Sequence, residues 1–88
     1  MKALITVLGK DKVGIIAGVS ALLKEKNVNI EDISQTILGG YFTMIMAVSL
    51  PKSSNFEDIK TALDNLGGAL GVEISLRNKE IFDAINKL

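Results

Sequence analysis

The run Val28-Asn29-Ile30-Glu31-Asp32-Ile33-Ser34-Gln35-Thr36-Ile37-Leu38-Gly39-Gly40-Tyr41-Phe42-Thr43-Met44-Ile45-Met46-Ala47-Val48-Ser49-Leu50 reads as two strands joined by a tight turn. Gly39-Gly40 supplies the positive φ values that a two-residue hairpin requires. After the turn, Phe42, Met44, Met46, Val48 and Leu50 occupy every second position, so one face of that strand is buried. Before it, Val28 and Ile30 fall on one phase of the alternation and Ile33 and Ile37 on the other. A straight strand cannot bury both sets, and the slip predicts a bulge near Glu31-Asp32.

Working outward, Lys2 to Leu8 is apolar or β-branched on both faces, as in a strand flanked on each side. The loop Gly9-Lys10-Asp11-Lys12-Val13-Gly14 leads into Ile15, Ile16, Val19, Leu22 and Leu23 at helical spacing, which predicts a helix over 13–26. Beyond Pro51, Ser54 and Glu57 have the spacing of a capping box. The helix they open carries Phe56, Ile59, Ala62, Leu63 and Leu66, with Gly67-Gly68 as its expected end. Leu70, Val72, Ile74 and Leu76 alternate with Gly71, Glu73, Ser75 and Arg77, a fourth strand with one wet face. Asn78 is then placed to cap a short helix whose Ile81, Phe82, Ile85 and Leu88 form an apolar stripe. The order is β-α-β-β-α-β plus a C-terminal helix. Right-handed crossovers turn it into an α+β, ferredoxin-like sandwich, with two helices on one face of a four-stranded antiparallel sheet and the first and third strands central. The expected division is a domain over 1–77 and a helical tail over 78–88.

Composition narrows the chemistry. Eighty-eight residues suffice for one domain, and ten basic against ten acidic side chains leave no net charge to grip a nucleic-acid backbone. The pair Tyr41-Phe42 lacks the basic neighbour and the second aromatic strand of an RNA-stacking platform. Cysteine and histidine are absent, so thiolate and imidazole zinc sites, disulfides and the usual Cys–His or Ser–His nucleophiles are excluded. No cofactor and no metal-ligand set is implied. The opening apolar run is too short for a signal peptide, and no stretch approaches the roughly 20 apolar residues of a membrane span, so a cytoplasmic location is expected.

The first loop is the most unusual local feature. A loop that opens a helix presents backbone N–H groups and the positive end of a dipole, which suit a carboxylate. Gly9 and Gly14 allow close approach to the backbone. Asp11 fits two roles, a helix cap or a fixed negative charge for an α-ammonium group. The Gly9-x4-Gly14 spacing is not a phosphate loop, because Ile15-Ile16 stands where Lys-Ser/Thr would be needed. Asn27 suits a turn, whereas Asn29 sits in a strand that disfavours it and fits a directed hydrogen bond.

These features resemble an ACT domain over about residues 1–77: the loop Gly9-Lys10-Asp11-Lys12-Val13-Gly14-Ile15, the Asn27-Val28-Asn29-Ile30 turn and the β-α-β-β-α-β order. Asp32-Ile33-Ser34-Gln35-Thr36, Tyr41-Phe42-Thr43-Met44 and Ile81-Phe82-Asp83-Ala84-Ile85 further resemble small stand-alone ACT proteins related to regulators of the glycine cleavage system. The resemblance implies a non-catalytic regulatory module, a homodimer that binds an amino acid or similar small polar ligand between subunits and in turn acts on a regulated protein. Carried over by position, the ligand-binding residues are Gly9, Asp11, Val13 and Gly14 of one subunit and Asn29 of the other. Gly9 replaces a ligand-contacting side chain found in other members, and Lys12-Val13 replaces a frequent Arg-Pro. A ligand-free interaction module docking through the C-terminal helix or the sheet edge is the alternative function. An acylphosphatase-like hydrolase shares the topology but would need an arginine in the first loop, which holds only lysines. The open sheet face, with Leu4, Ile45 and Ala47, offers a contact either for the tail stripe or for a second subunit.

Overall fold

The computed structural model describes residues 1–10 and 14–79. Within them the elements run β1 (Lys2–Gly9), α1 (Ile15–Glu25), β2 (Asn29–Leu38), β3 (Tyr41–Ser49), α2 (Phe56–Leu70) and β4 (Glu73–Asn78). The strands form one antiparallel sheet in the order β2-β3-β1-β4, with β1 and β3 central as their two-sided apolar character requires. The expected tail helix over 78–88 falls almost wholly outside the described residues; Asn78 itself closes β4 and pairs with Ala3.

One face of the sheet holds the core. Ala3, Ile5 and Val7 of β1, Phe42, Met44, Met46 and Val48 of β3, and Ile74 and Leu76 of β4 meet Ile15, Val19 and Leu23 of α1 and Ile59 and Leu63 of α2. The helical residues recur every fourth position, the spacing that keeps side chains on one stripe. Met44 and Met46 are therefore core residues, each 1% exposed.

The hairpin forms as its glycines dictate, with φ of 58° at Gly39 and 83° at Gly40. The expected bulge lies between Ile30 and Asp32, leaving Glu31 as the extra residue. Its effect is to return Ile33 and Ile37 to the phase of Ile30. Ile30 pairs with Val48, Ile33 with Met46 and Ile37 with Phe42, so all three face the helical side. Glu31 forms an exposed ion pair with Lys2.

Four boundaries differ from expectation. The described part of α1 begins at Ile15 rather than 13, and Val13 lies outside the described residues. The cap of α2 is Asn55, whose Oδ1 accepts from the N–H groups of Glu57 (2.9 Å) and Asp58 (3.3 Å). Ser54, expected to cap, instead donates its hydroxyl to the Pro51 carbonyl at 2.6 Å. Gly67-Gly68 does not end α2, which continues to Leu70 and stops at Gly71 with φ 72°. Leu70 is thus helical and β4 starts only at Glu73. The reason is packing: a Cβ on Gly67 would lie 2.8 Å from the Val72 carbonyl oxygen, so this glycine lets the following turn fold back against its own helix.

Candidate functional site

Gly14 stands at the N-cap of α1 in the left-handed region, φ 78°, with open space where a Cβ would be. It is glycine for its backbone angle and not for lack of room. Its carbonyl accepts the first helical bond, from the N–H of Gly18 at 2.8 Å. Gly14 offers no side-chain cap and the first turn contains no acidic residue, so the positive end of the helix is left to whatever the preceding loop or a ligand supplies. Asp11, the residue expected to face an ammonium group, lies outside the described residues, as does Val13.

Gly9 is buried at the end of β1 on the helical face. A Cβ there would overlap the Val72 side chain, approaching its Cβ to 3.0 Å. A larger residue has no space here without displacing Val72, so the glycine lets the α2–β4 turn pack against the end of β1. Gly9→Ala should lower stability by about 1–3 kcal/mol, the usual cost of overpacking. That is a fall of roughly 4–8 °C in Tm per kcal/mol for a domain of this size. An unchanged melting curve would show that Val72 yields freely.

Asn29 is exposed and begins β2 opposite Ser49, which also pairs with Lys2. Gly9, at the other end of β1, pairs with Phe42. The seven-residue rise from Lys2 to Gly9 separates these two levels by roughly 23 Å. Within one subunit Asn29 and the β1–α1 connection therefore sit at opposite ends of the sheet. Asn27, by contrast, has φ 58° and is a left-handed turn residue after α1, as its position in the sequence implies.

Beside the same connection lies a groove of about 630 Å³, lined by Leu8, Gly9, Lys10, Tyr41, Gly68 and Glu73 among others. Lys10 places its ammonium 5.7 Å from the centre of the Tyr41 ring. This cation–π contact bridges the β1 end to the hairpin, and sequence spacing does not reveal it because the register that joins the two residues is tertiary. Among the described residues, neither Gly14 nor Asn29 lines this groove.

As the topology predicts, β2 is an edge strand. On β2, Ile33 and Ile37 face the helical side yet remain 39% and 60% exposed, whereas Ile30 on the same phase packs against the core. Ile16, in the first turn of α1, is 39% exposed. With the unpaired backbone of an edge strand, Ile33 and Ile37 form an uncovered apolar margin. Among the described residues no three acidic side chains gather into a metal site, and no helix is long and apolar enough to cross a membrane.

A four-stranded sheet with this connectivity and two helices on one face is an architecture that ACT domains, which are regulatory modules, share with proteins of other functions; the chain belongs to the ACT domain family, whose model matches residues 2–77. Among relatives, the UPF0237 protein of Clostridium acetobutylicum is 55% identical over 89 aligned positions covering 100% of both chains. An ACT domain protein from Streptococcus pneumoniae superimposes with a TM-score of 0.86 at 46% identity, covering 94% of each chain. The regulatory subunit of aspartate kinase from Thermus flavus gives a TM-score of 0.63 at 27% identity, over 86% of this chain and 50% of that one.

Proposed function

We propose that this chain is a non-catalytic cytoplasmic sensor that works as a homodimer, binding an amino acid or similar small zwitterion between two subunits. The observation that carries the proposal is the separation of Asn29 from the β1–α1 connection within a single sheet. Pairing two β2 strands antiparallel about an axis near Gln35 sets Ile33 opposite Ile37 of the second copy. It also brings Asn29 of that copy level with the β2–β3 hairpin, the end at which Gly9 and Gly14 lie. One contact thus covers the apolar margin, satisfies the open edge and assembles the two halves of a binding site.

In this arrangement the N-terminus of α1, with the Gly14 backbone, receives the ligand carboxylate. Asp11 holds the ammonium group and Asn29 of the neighbouring subunit hydrogen-bonds the ligand across the boundary. The regulatory family and the aspartate kinase regulatory subunit support a ligand-responsive role. Occupancy changes the relative stability of dimer geometries, and a partner protein that prefers one geometry reads the change.

A ligand that binds only the native dimer raises its stability by RT ln(1 + [L]/Kd), about 2.7 kcal/mol at one hundred times Kd. Melting the protein against each of the twenty amino acids should therefore pick out one, or a chemically related few, by an upward shift in Tm. Twenty flat responses would remove the amino-acid reading and leave docking of another protein as the function.

A further inference from the structure

Ile16 is the large apolar side chain that α1 leaves exposed, whereas Ile15, Val19 and Leu23 of the same helix are buried. The packing of Gly18 fixes where it points. A Cβ on Gly18 would lie 3.3 Å from Leu70 and 3.7 Å from Leu66, so that side of α1 faces α2. Two residues back along a helix is about 200° around its axis, and Ile16 therefore projects from the flank opposite α2. Because α2 packs on β4, and β4 and β2 are the two opposite edges of the sheet, that flank looks toward β2 and its margin of Ile33 and Ile37. The far end of α1 is tied to the same edge, where the Val28 N–H donates to the Leu23 carbonyl at 2.8 Å.

On the reading that the site forms between side-by-side subunits, we infer that its ligand is an amino acid with an apolar side chain, received by a wall made of Ile16 and Ile37 of one subunit and Ile33 of the other. The α-carboxylate and α-ammonium groups are common to all amino acids, so the backbone at the start of α1 cannot tell one from another. Discrimination falls to whatever lines the place of the side chain. In the proposed dimer Ile33 of the second copy stands opposite Ile37, and Ile16 projects from the helix toward this pair without taking part in the strand pairing.

Charge is kept away from the wall. The charged residues of α1, Lys24 and Glu25, lie in its last turn, at the opposite end from Ile16. On β2, Asp32 pairs with Ala47 on the other face of the sheet and Glu31 is engaged by Lys2. Gln35, which shares the helical side with Ile33 and Ile37, falls on the two-fold axis and meets its own counterpart. No charged residue of α1 or β2 thus borders the wall. The side chain of aspartate or lysine placed against it would be desolvated without a partner, whereas that of leucine would cover apolar surface now exposed to water.

The wild-type protein supplies the first test. At equal concentration, one or more of leucine, isoleucine, valine, methionine and phenylalanine should raise Tm, and glycine, serine, aspartate and lysine should not. A response confined to glycine or to polar or charged amino acids would overturn the inference and leave the sensor reading standing, whereas no response to any of the twenty would remove the site itself. Ile16→Ala, with fold checked by circular dichroism and the dimer by sedimentation, should weaken the most effective apolar amino acid about ten- to two-hundred-fold in calorimetric titration, the span for shortening an apolar contact in a pocket. Unchanged affinity in the folded, dimeric variant would show that Ile16 does not line the site and would overturn the inference. The side-chain preference of the wild-type protein decides the matter even if the variant fails to fold.

Discussion

Ile33→Lys combined with Ile37→Lys should convert the proposed side-by-side dimer to a folded monomer. Both side chains belong to an edge strand and neither is in the core, so the substitutions leave the buried cluster of β1, β3, α1 and α2 intact. In the dimer each would place ammonium groups against the second copy across a two-fold axis, and each removes apolar area that association covers. Burying an exposed isoleucine contributes about 1.5–3 kcal/mol, and these two are already partly covered, so a loss of at least about 3 kcal/mol over the four symmetry-related positions is a conservative figure. The dimer dissociation constant should then rise at least about a hundredfold. Sedimentation equilibrium over a concentration series reads this directly, and far-UV circular dichroism shows whether the monomer stays folded. Persistence of the dimer in the folded double variant would place the interface elsewhere and dissolve the proposed site.

That Ile33 and Ile37 form an exposed apolar margin on the helical side could not be read from β2 alone. The strand's broken alternation signals a bulge, and the bulge is there, but whether Ile33 and Ile37 return to the core phase or remain on the opposite face depends on register. The register in turn depends on which residue of β3 each one meets. Local signals decided the hairpin and the buried phase of β3 because glycine conformation and period-two alternation act within a few residues. They failed at the ends of α2 for the same reason in reverse. Ser54 and Asn55 are both good caps, and the choice fell to Asn55 once Pro51 had engaged the Ser54 hydroxyl. Gly67 resembles a helix stop, yet its role is to accommodate the carbonyl of Val72, a contact made only after the chain has turned. At the site, Gly9 and Gly14 were legible as positions that favour glycine, but not the separate reasons: a left-handed φ at Gly14, and at Gly9 the side chain of Val72, a contact made only in the folded chain. Asn29 was singled out for being an unlikely strand residue, which identifies an unusual side chain but says nothing about its distance from the loop it is meant to serve.

That distance gives the site its sharpest consequence. Asp11→Asn should weaken binding of the amino acid most effective in the melting screen by about 2–5 kcal/mol, roughly thirty-fold to several thousand-fold, the range for losing one partner of a desolvated charge pair. Asn29→Ala should cost about 1.5–3 kcal/mol, as for a hydrogen bond to a charged group. Calorimetric titration measures both, with the dimer verified in each variant. Mixing the two variants then separates a shared site from one contained within a subunit. A mixed dimer carries one boundary at which both residues are altered and one at which Asp11 of the first chain faces Asn29 of the second, both native. With random exchange half the dimers are mixed, so about a quarter of all boundaries regain wild-type affinity under two-fold symmetry. If Asp11 and Asn29 served the same subunit's site, every site in the mixture would keep one defect and no high-affinity fraction would appear. With Gly9 and Asn29 roughly 23 Å apart along one sheet, the proposed shared site gives the first result, since no small zwitterion spans that length.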